Sequence, residues 1–276
     1  MIEIGRYNKL RVLDSSPAGL DLGTEDHNVL LPHSLVPDDV DEGDMLDVFV
    51  YTDSEDVPVA TTLKPLATVG QFSCLRVVDV NEHGAFLDWG LPKDLFAPFA
   101  RQFRPMERGD WVVVGLTLHK RTQRVIACST LAGLFDDDVS ALSRGDRVQL
   151  LVYGFNEMGV QVVVQGRHAG LIFKNAIFSR LRMGEELEGF IAQVRDDHRL
   201  DITLQREGRD GNDDAERVIL DALKAADGHL NLHDKSPPAI IHARLGLSKK
   251  AFKRAVGSLY RRKVIQLDDE GIHTAD

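Results

Sequence analysis

The chain of 276 residues, 43% hydrophobic and 28% charged, has the composition of ordinary globular protein and the length for several small domains. It contains no apolar run of about 18 residues and no basic-then-apolar leader at Met1; neither a membrane span nor a secretory signal is expected, and the cytoplasm is the expected compartment. The net charge of -10 argues at first against a polyanionic partner, but residues 1–66 hold 14 acids and 4 bases, while the remainder of the chain is balanced.

One spacing recurs three times. Gly5, Gly19 and Gly43-Asp44 stand at offsets of 14 and 38; Gly70, Gly84 and Gly109-Asp110 stand at 14 and 39; Gly145, Gly159 and Gly184-Glu185 repeat 14 and 39. Between these glycines lie short runs of Val, Ile, Leu and Phe bounded by turn formers, the pattern of strands in sequence. Each copy reads as five strands, and a unit of this size can bury a core of its own, unlike a solenoid repeat. The predicted fold class is therefore multidomain and mainly β: three tandem OB-fold five-stranded barrels, followed by an α/β winged-helix domain.

In chain order, the first repeat (residues 1–66) has strand candidates at 10–13, 19–22, 29–31 and 45–51. Its strand-two position carries Asp21, and its fourth loop, Asp53-Ser54-Glu55-Asp56, carries no base. Without a stacking ring or a phosphate partner it is expected to repel RNA. It reads either as a solvated scaffold or as a docking face for a basic protein. Lys64-Pro65-Leu66-Ala67 is too short for a swinging linker and predicts a fixed junction.

The second repeat (67–133) has strands expected at 72–80, 84–89, 95–97, 111–118 and 125–129. Period-2 alternation puts Phe86 and Asp88 on the outer face and Ala85, Leu87 and Trp89 in the core. Phe96, in strand three, lies in the other strand of the face that OB barrels use for binding. Lys120, Arg121 and Arg124, between strands four and five, would add three cations beside it. Cys74 and Cys128 show no metal spacing and read as reduced core residues.

The third repeat (140–206) has Gln161 where Phe86 stands in the second. Tyr153 and Phe155 either extend a platform or, as first-strand aromatics, belong to the core. Residues 206–214 read as a polar linker, after which the period turns helical. The C-terminal segment (213–276) predicts a helix over 215–226, a second capped by Ser236 with Pro237 at its first position, a third capped by Ser248, then a hairpin over 264–274. That order is a winged helix. Its third helix carries Lys249, Lys250, Lys253, Arg254, Arg261 and Arg262 with no acid among them, and Lys250, Arg254 and Arg261 fall on another side from the apolar stripe of Phe252, Val256 and Leu259. Such a face fits a nucleic-acid backbone, duplex DNA or RNA alike.

Gly84-Ala85-Phe86-Leu87, and Gly170-Leu171-Ile172-Phe173 with Arg199-Leu200-Asp201-Ile202-Thr203-Leu204, resemble S1-type RNA-binding domains. The order of domains makes nearly the whole chain resemble the conserved virulence factor B family, tandem S1 domains before a winged helix. The resemblance implies that Phe86 is a stacking residue and that His83 takes a position often aromatic. It also implies that Phe173 stands in place of a histidine and that Asp196 and Arg199 form the pair before strand five. Together these give the expected RNA site: His83, Phe86, Phe96, Lys120, Arg121 and Arg124, continuing to Phe173 and Arg199, with the backbone held by the third helix. No Walker loop, dinucleotide fingerprint or metal-ligand cluster is present, so no catalysis, cofactor or metal is expected. The expected activity is single-stranded RNA binding in post-transcriptional regulation, with no membrane partner; the alternatives are a DNA-binding transcriptional regulator acting through the winged helix, and a protein adaptor.

Overall fold

The computed structural model describes residues 1–276 apart from 25–26, 178–179, 205–208, 269–270 and 276; the side chains of 175 and 209–212 are also outside the described set. Three closed five-stranded barrels are followed by three helices and a small sheet. The first barrel is built from β1 (Arg6–Ser16), β2 (Gly19–Thr24), β3 (His27–Pro32), β4 (Met45–Thr52) and β5 (Pro58–Thr61). The second holds β6 (Phe72–Asn81), β7 (Gly84–Asp88), β8 (Leu95–Pro98), β9 (Trp111–Leu118) and β10 (Val125–Cys128). The third holds β11 (Arg147–Phe155), β12 (Gly159–Val164), β13 (His168–Phe173), β14 (Glu186–Val194) and β15 (Leu200–Thr203). In each the first strand pairs antiparallel with the second and the fourth, while the third and fifth run parallel and close the barrel.

The glycine rhythm has a backbone cause. Gly43, Gly109 and Gly184, ahead of each fourth strand, take φ of 97°, 95° and 75°, a region other residues rarely adopt. Gly19, Gly84 and Gly159 open each second strand, where an added Cβ would collide with the carbonyl oxygens of Leu31, Ala97 and Ile172 on the third. The first strands bulge at matching positions, between Val12 and Asp14, Val77 and Asp79, and Val152 and Gly154. A bulge bends the strand and sharpens its twist, which lets a short sheet curl shut.

The chain forms two compact units, residues 1–136 with 183–185, and residues 137–182 with 186–276. In the first, the opening two barrels are joined through packing as well as through the chain. Trp89 is buried at 2% exposure in the second barrel's core, as expected, and reaches the neighbouring barrel as well: its ring meets Phe49 edge-on at 5.8 Å and Tyr51 at 6.1 Å. Leu66 N donates to Trp89 O at 2.8 Å and Val69 N to Gly5 O at 2.8 Å, pinning the short junction.

In the second unit the third barrel has its own core, among it Val148, Val152, Ile172 and Ile191. Phe155, a first-strand aromatic, is 52% exposed and lies outside that core. The C-terminal domain consists of α1 (Arg209–Ala225), β16 (His229–Leu230), α2 (Pro238–Leu245), α3 (Lys249–Arg261), β17 (Ile265–Leu267) and β18 (Ile272–Thr274), the strands ordered β16-β18-β17.

Two boundaries differ from the sequence reading. The helix α1 begins within the stretch read as linker: Gly211 lowers its propensity, but Asp213 and Asp214 in the first turns favour a helix N-terminus. Residues 206–208 of that expected linker lie outside the described set. The second helix starts one residue later than expected, with Pro237 as its cap, because Ser236 Oγ turns back to accept His233 N at 3.0 Å. Ser248 caps α3 as expected, accepting Ala251 N at 3.1 Å. Among the described residues no helix is long and apolar enough to cross a membrane.

Candidate nucleic-acid interface

On the second barrel, alternation along β7 turns Ala85 and Leu87 inward and leaves Phe86 half-buried on the outer face. Phe86 pairs directly with Phe96 of β8, and the rings lie 5.3 Å apart, tilted by 42°. They floor a groove of about 630 Å³ whose lining also includes Asn81, His83, Lys93, Asp94 and Arg124. Its remaining wall comes from the first barrel, through Tyr51, Thr52 and Ser54. The structure thus brings His83, Phe86, Phe96 and Arg124 together. Lys120 and Arg121 are exposed at the tip of the same hairpin but do not line the groove.

The electrostatics of the groove differ from the expectation of a cationic clamp. Arg124 forms an ion pair with Asp56 of the first barrel. Lys93 Nζ donates to Thr52 O at 3.0 Å and to Asp53 O. Burial lowers the Lys93 pKa, with the Asp53 charge opposing that shift. Asp94 is pushed above the usual carboxylate range by partial burial, then by the charges of Asp88 and Asp79. The acidic loop of the first barrel, noted from sequence only as carrying no base, thus stands beside the groove and holds its cations. Tyr51, Lys93 and Asp56 were missed because each acts across two repeats, and no periodic signal links residues so far apart.

The third barrel places its residues otherwise. The strand pair equivalent to Phe86 and Phe96 is Gln161 and Leu171, and Leu171 in turn faces Asp201 on β15. Phe173 lies two residues further on, at the end of β13 opposite Gly159, where the second barrel has Pro98. Arg199 is exposed. The carboxylates there are held by Arg195 instead, 3.1 Å from Asp197 and 3.8 Å from Asp201. Asp201 is raised by burial, opposed by Arg195.

On α3, Phe252, Ala255, Val256 and Leu259 are buried and the basic residues are turned outward. Several basic residues on α3 and just past its end have structural partners. Arg262 meets the buried carboxylate of Glu216 on α1 at 2.6 Å, and Lys253 lies 3.8 Å from Asp234. Arg261 Nε donates back to Gly257 O at 3.1 Å. Lys250 and Arg254 are exposed, and Lys249 is half-buried. Among the described residues no group of three or more His, Cys, Asp or Glu side chains could hold a metal ion.

The S1 domain family matches residues 4–63, and the CvfB-like winged helix domain family matches residues 217–273. Conserved virulence factor B of Staphylococcus epidermidis is 25% identical over 89% of this chain and 86% of its own. The uncharacterized protein YitL of Bacillus subtilis is 27% identical over 95% of this chain and 91% of its own. A solved multidomain protein with nucleic acid binding domains from Streptococcus pneumoniae covers 98% of both chains at 24% identity, with a TM-score of 0.44. With the barrels and the winged helix in the expected order, the chain is similar over most of its length to conserved virulence factor B proteins, and its residues 217–273 match the CvfB-like winged helix domain.

Proposed function

We propose that this chain is a non-catalytic protein that binds single-stranded RNA on its second barrel and acts in post-transcriptional regulation. The observation that carries the reading is the Phe86–Phe96 pair, two half-exposed rings 5.3 Å apart flooring a groove on the strand-two and strand-three face. Every base offers a π-face to such a platform, and OB-type barrels use that face for single strands. The S1 match falls on the first barrel, residues 4–63, and supports nucleic acid as the class of partner for the chain without choosing among its barrels. Anisotropy with labelled single-stranded RNA tests it: Phe86→Ala and Phe96→Ala should each cost about 1–3 kcal/mol of binding free energy. Unchanged affinity in a folded double variant would remove the site.

A second reading rests on α3, where Lys250 and Arg254 are exposed beside a buried apolar stripe. As the second helix of a helix-turn-helix pair, it has the place of the element that enters a major groove. Preference for duplex DNA over single-stranded RNA, lost in Lys250→Ala, would favour it.

A further inference from the structure

The aromatic groove has two unlike ends. Because β8 and β10 run parallel with Phe96 opposite Ile126, Asp94 and Arg124 share one end, and Pro98 and Cys128 share the other. At the first end both cations are engaged by the first barrel, and Asp53, Asp56 and Asp94 surround them with negative charge. A phosphate meets repulsion there. At the second end the chain leaves β8 towards β9, and its character changes: Phe99, Arg101, Phe103 and Arg104 follow, with Arg108 and Trp111 beyond.

This segment starts at the mouth of the groove, since Phe99 N donates to His83 O at 3.4 Å. Its backbone is pinned. Ser129 N and Thr130 N donate to Arg101 O at 2.9 and 3.3 Å, Phe103 N donates to Ser129 Oγ at 2.9 Å, and Gln102 Nε2 donates to Ala97 O at 2.9 Å. Its side chains nevertheless face water: Phe99 is 46% exposed, Phe103 81% and Trp111 60%. Among the described residues no carboxylate lies within ion-pair distance of Arg101, Arg104 or Arg108, in contrast to Arg124. A rigid strip that presents unpartnered guanidinium groups between bare aromatic rings combines the two features that hold a single strand, charge for phosphates and π-faces for bases.

We propose that residues 99–104 form a second binding surface of the second barrel, along which single-stranded RNA leaving the groove past His83 continues. Phe103 stacks on a base, and Arg101 and Arg104 neutralise phosphates. The proposal rests on the reading of the groove as an RNA site and extends it in one direction only, away from the first barrel.

Anisotropy with the full chain and two RNA lengths, about three and about ten nucleotides, tests it. The short RNA fills the groove alone, and the long one must run beyond it. With the long RNA, Phe103→Ala is expected to weaken binding at least about fivefold. The double variant Arg101→Ala with Arg104→Ala is expected to flatten the salt dependence by about 0.7 in logarithmic slope for each phosphate it leaves unneutralised. The short RNA should bind all variants as it binds the parent, and Arg101→Lys with Arg104→Lys should restore the slope, because charge alone sets it. Long-RNA affinity and slope unchanged in the alanine variants would overturn the strip and leave the groove standing. Equal losses for both lengths would overturn it too, as would failure of the lysine pair to restore the slope. Failure of the parent chain to bind either RNA would overturn the groove reading and the strip with it.

Discussion

The second and third barrels share a backbone and differ in what they display on it. Each pairs its second strand with its third at a matching place, two residues past the strand-opening glycine. There the second barrel sets Phe86 against Phe96, and the third sets Gln161 against Leu171. The first barrel has Asp21 against Leu30 at the equivalent place. All of these side chains are half-buried, so the position is the same surface in each barrel and its chemistry is free to vary. The fold supplies a platform three times, and its side chains make one of the three aromatic. The proposed binding thus rests on two residues of a shared scaffold, and a likeness of fold alone does not locate them.

The second barrel also differs in how it is held. Trp89, just past the end of its second strand, packs edge-on against the stacked rings of Phe49 and Tyr51 of the first barrel, whereas the third barrel has Val164 at the corresponding place, inside its own core. Trp89→Ala should therefore have the largest effect on the molecule. Loss of a buried indole is expected to cost about 3–5 kcal/mol. It would also take away the ring against which the first barrel packs. Thermal unfolding followed by near-ultraviolet circular dichroism is expected to show a lower transition; an unchanged midpoint would mean that the two barrels do not depend on this packing.

If the two side chains alone separate the platforms, the difference should be transferable. Gln161→Phe with Leu171→Phe is expected to create a stacking pair on the third barrel and add up to about 1–3 kcal/mol of binding per stacked base. The measurement belongs in a chain already carrying Phe86→Ala and Phe96→Ala, where the second barrel is silent. Recovery of single-stranded RNA binding would show that the scaffold is equivalent. Failure in a folded protein would show that Asp201, facing Leu171, repels the strand and belongs to the difference.

The sequence made the barrels legible because their glycines are tied to backbone geometry. A left-handed turn before each fourth strand and a close approach at each second strand admit little else, so the spacing survives where side chains diverge. Phe86 was legible from alternation, and so was the buried stripe of α3. The rest depended on contacts between distant residues. Nothing local links Asp56 to Arg124, or Glu216 to Arg262, so neither engaged cation could be told from a free one. Phe173 reads from the family pattern as standing in place of a histidine; that it lies two residues beyond the place equivalent to Phe96 was not legible, because strand register is set by pairing. The alternation of Phe and Arg over 99–104 was visible in the sequence, but it lies between strands, where attention to periodicity does not reach.

The smallest expected effect bears on the acidic hairpin. Asp56 sits at φ 67°, a conformation that asparagine also accepts, so Asp56→Asn removes the charge and leaves the turn. Arg124 and Asp56 are each more than a third exposed, and such a pair contributes roughly 0.2–1 kcal/mol. Releasing Arg124 is therefore expected to tighten single-stranded RNA binding by only about two- to fivefold, with a somewhat steeper salt dependence because one more cation can meet a phosphate. In a chain carrying Arg124→Ala the same substitution should change little, since the partner it frees is gone; the cycle separates this ion pair from the general effect of deleting a negative charge. Weaker binding in Asp56→Asn would reverse the assignment and make Asp56 the residue that holds Arg124 in place over the rings. The second barrel's groove would then owe its cation to the first barrel, a dependence that the third barrel, with Arg195 holding Asp197 and Asp201 within one hairpin, does not share.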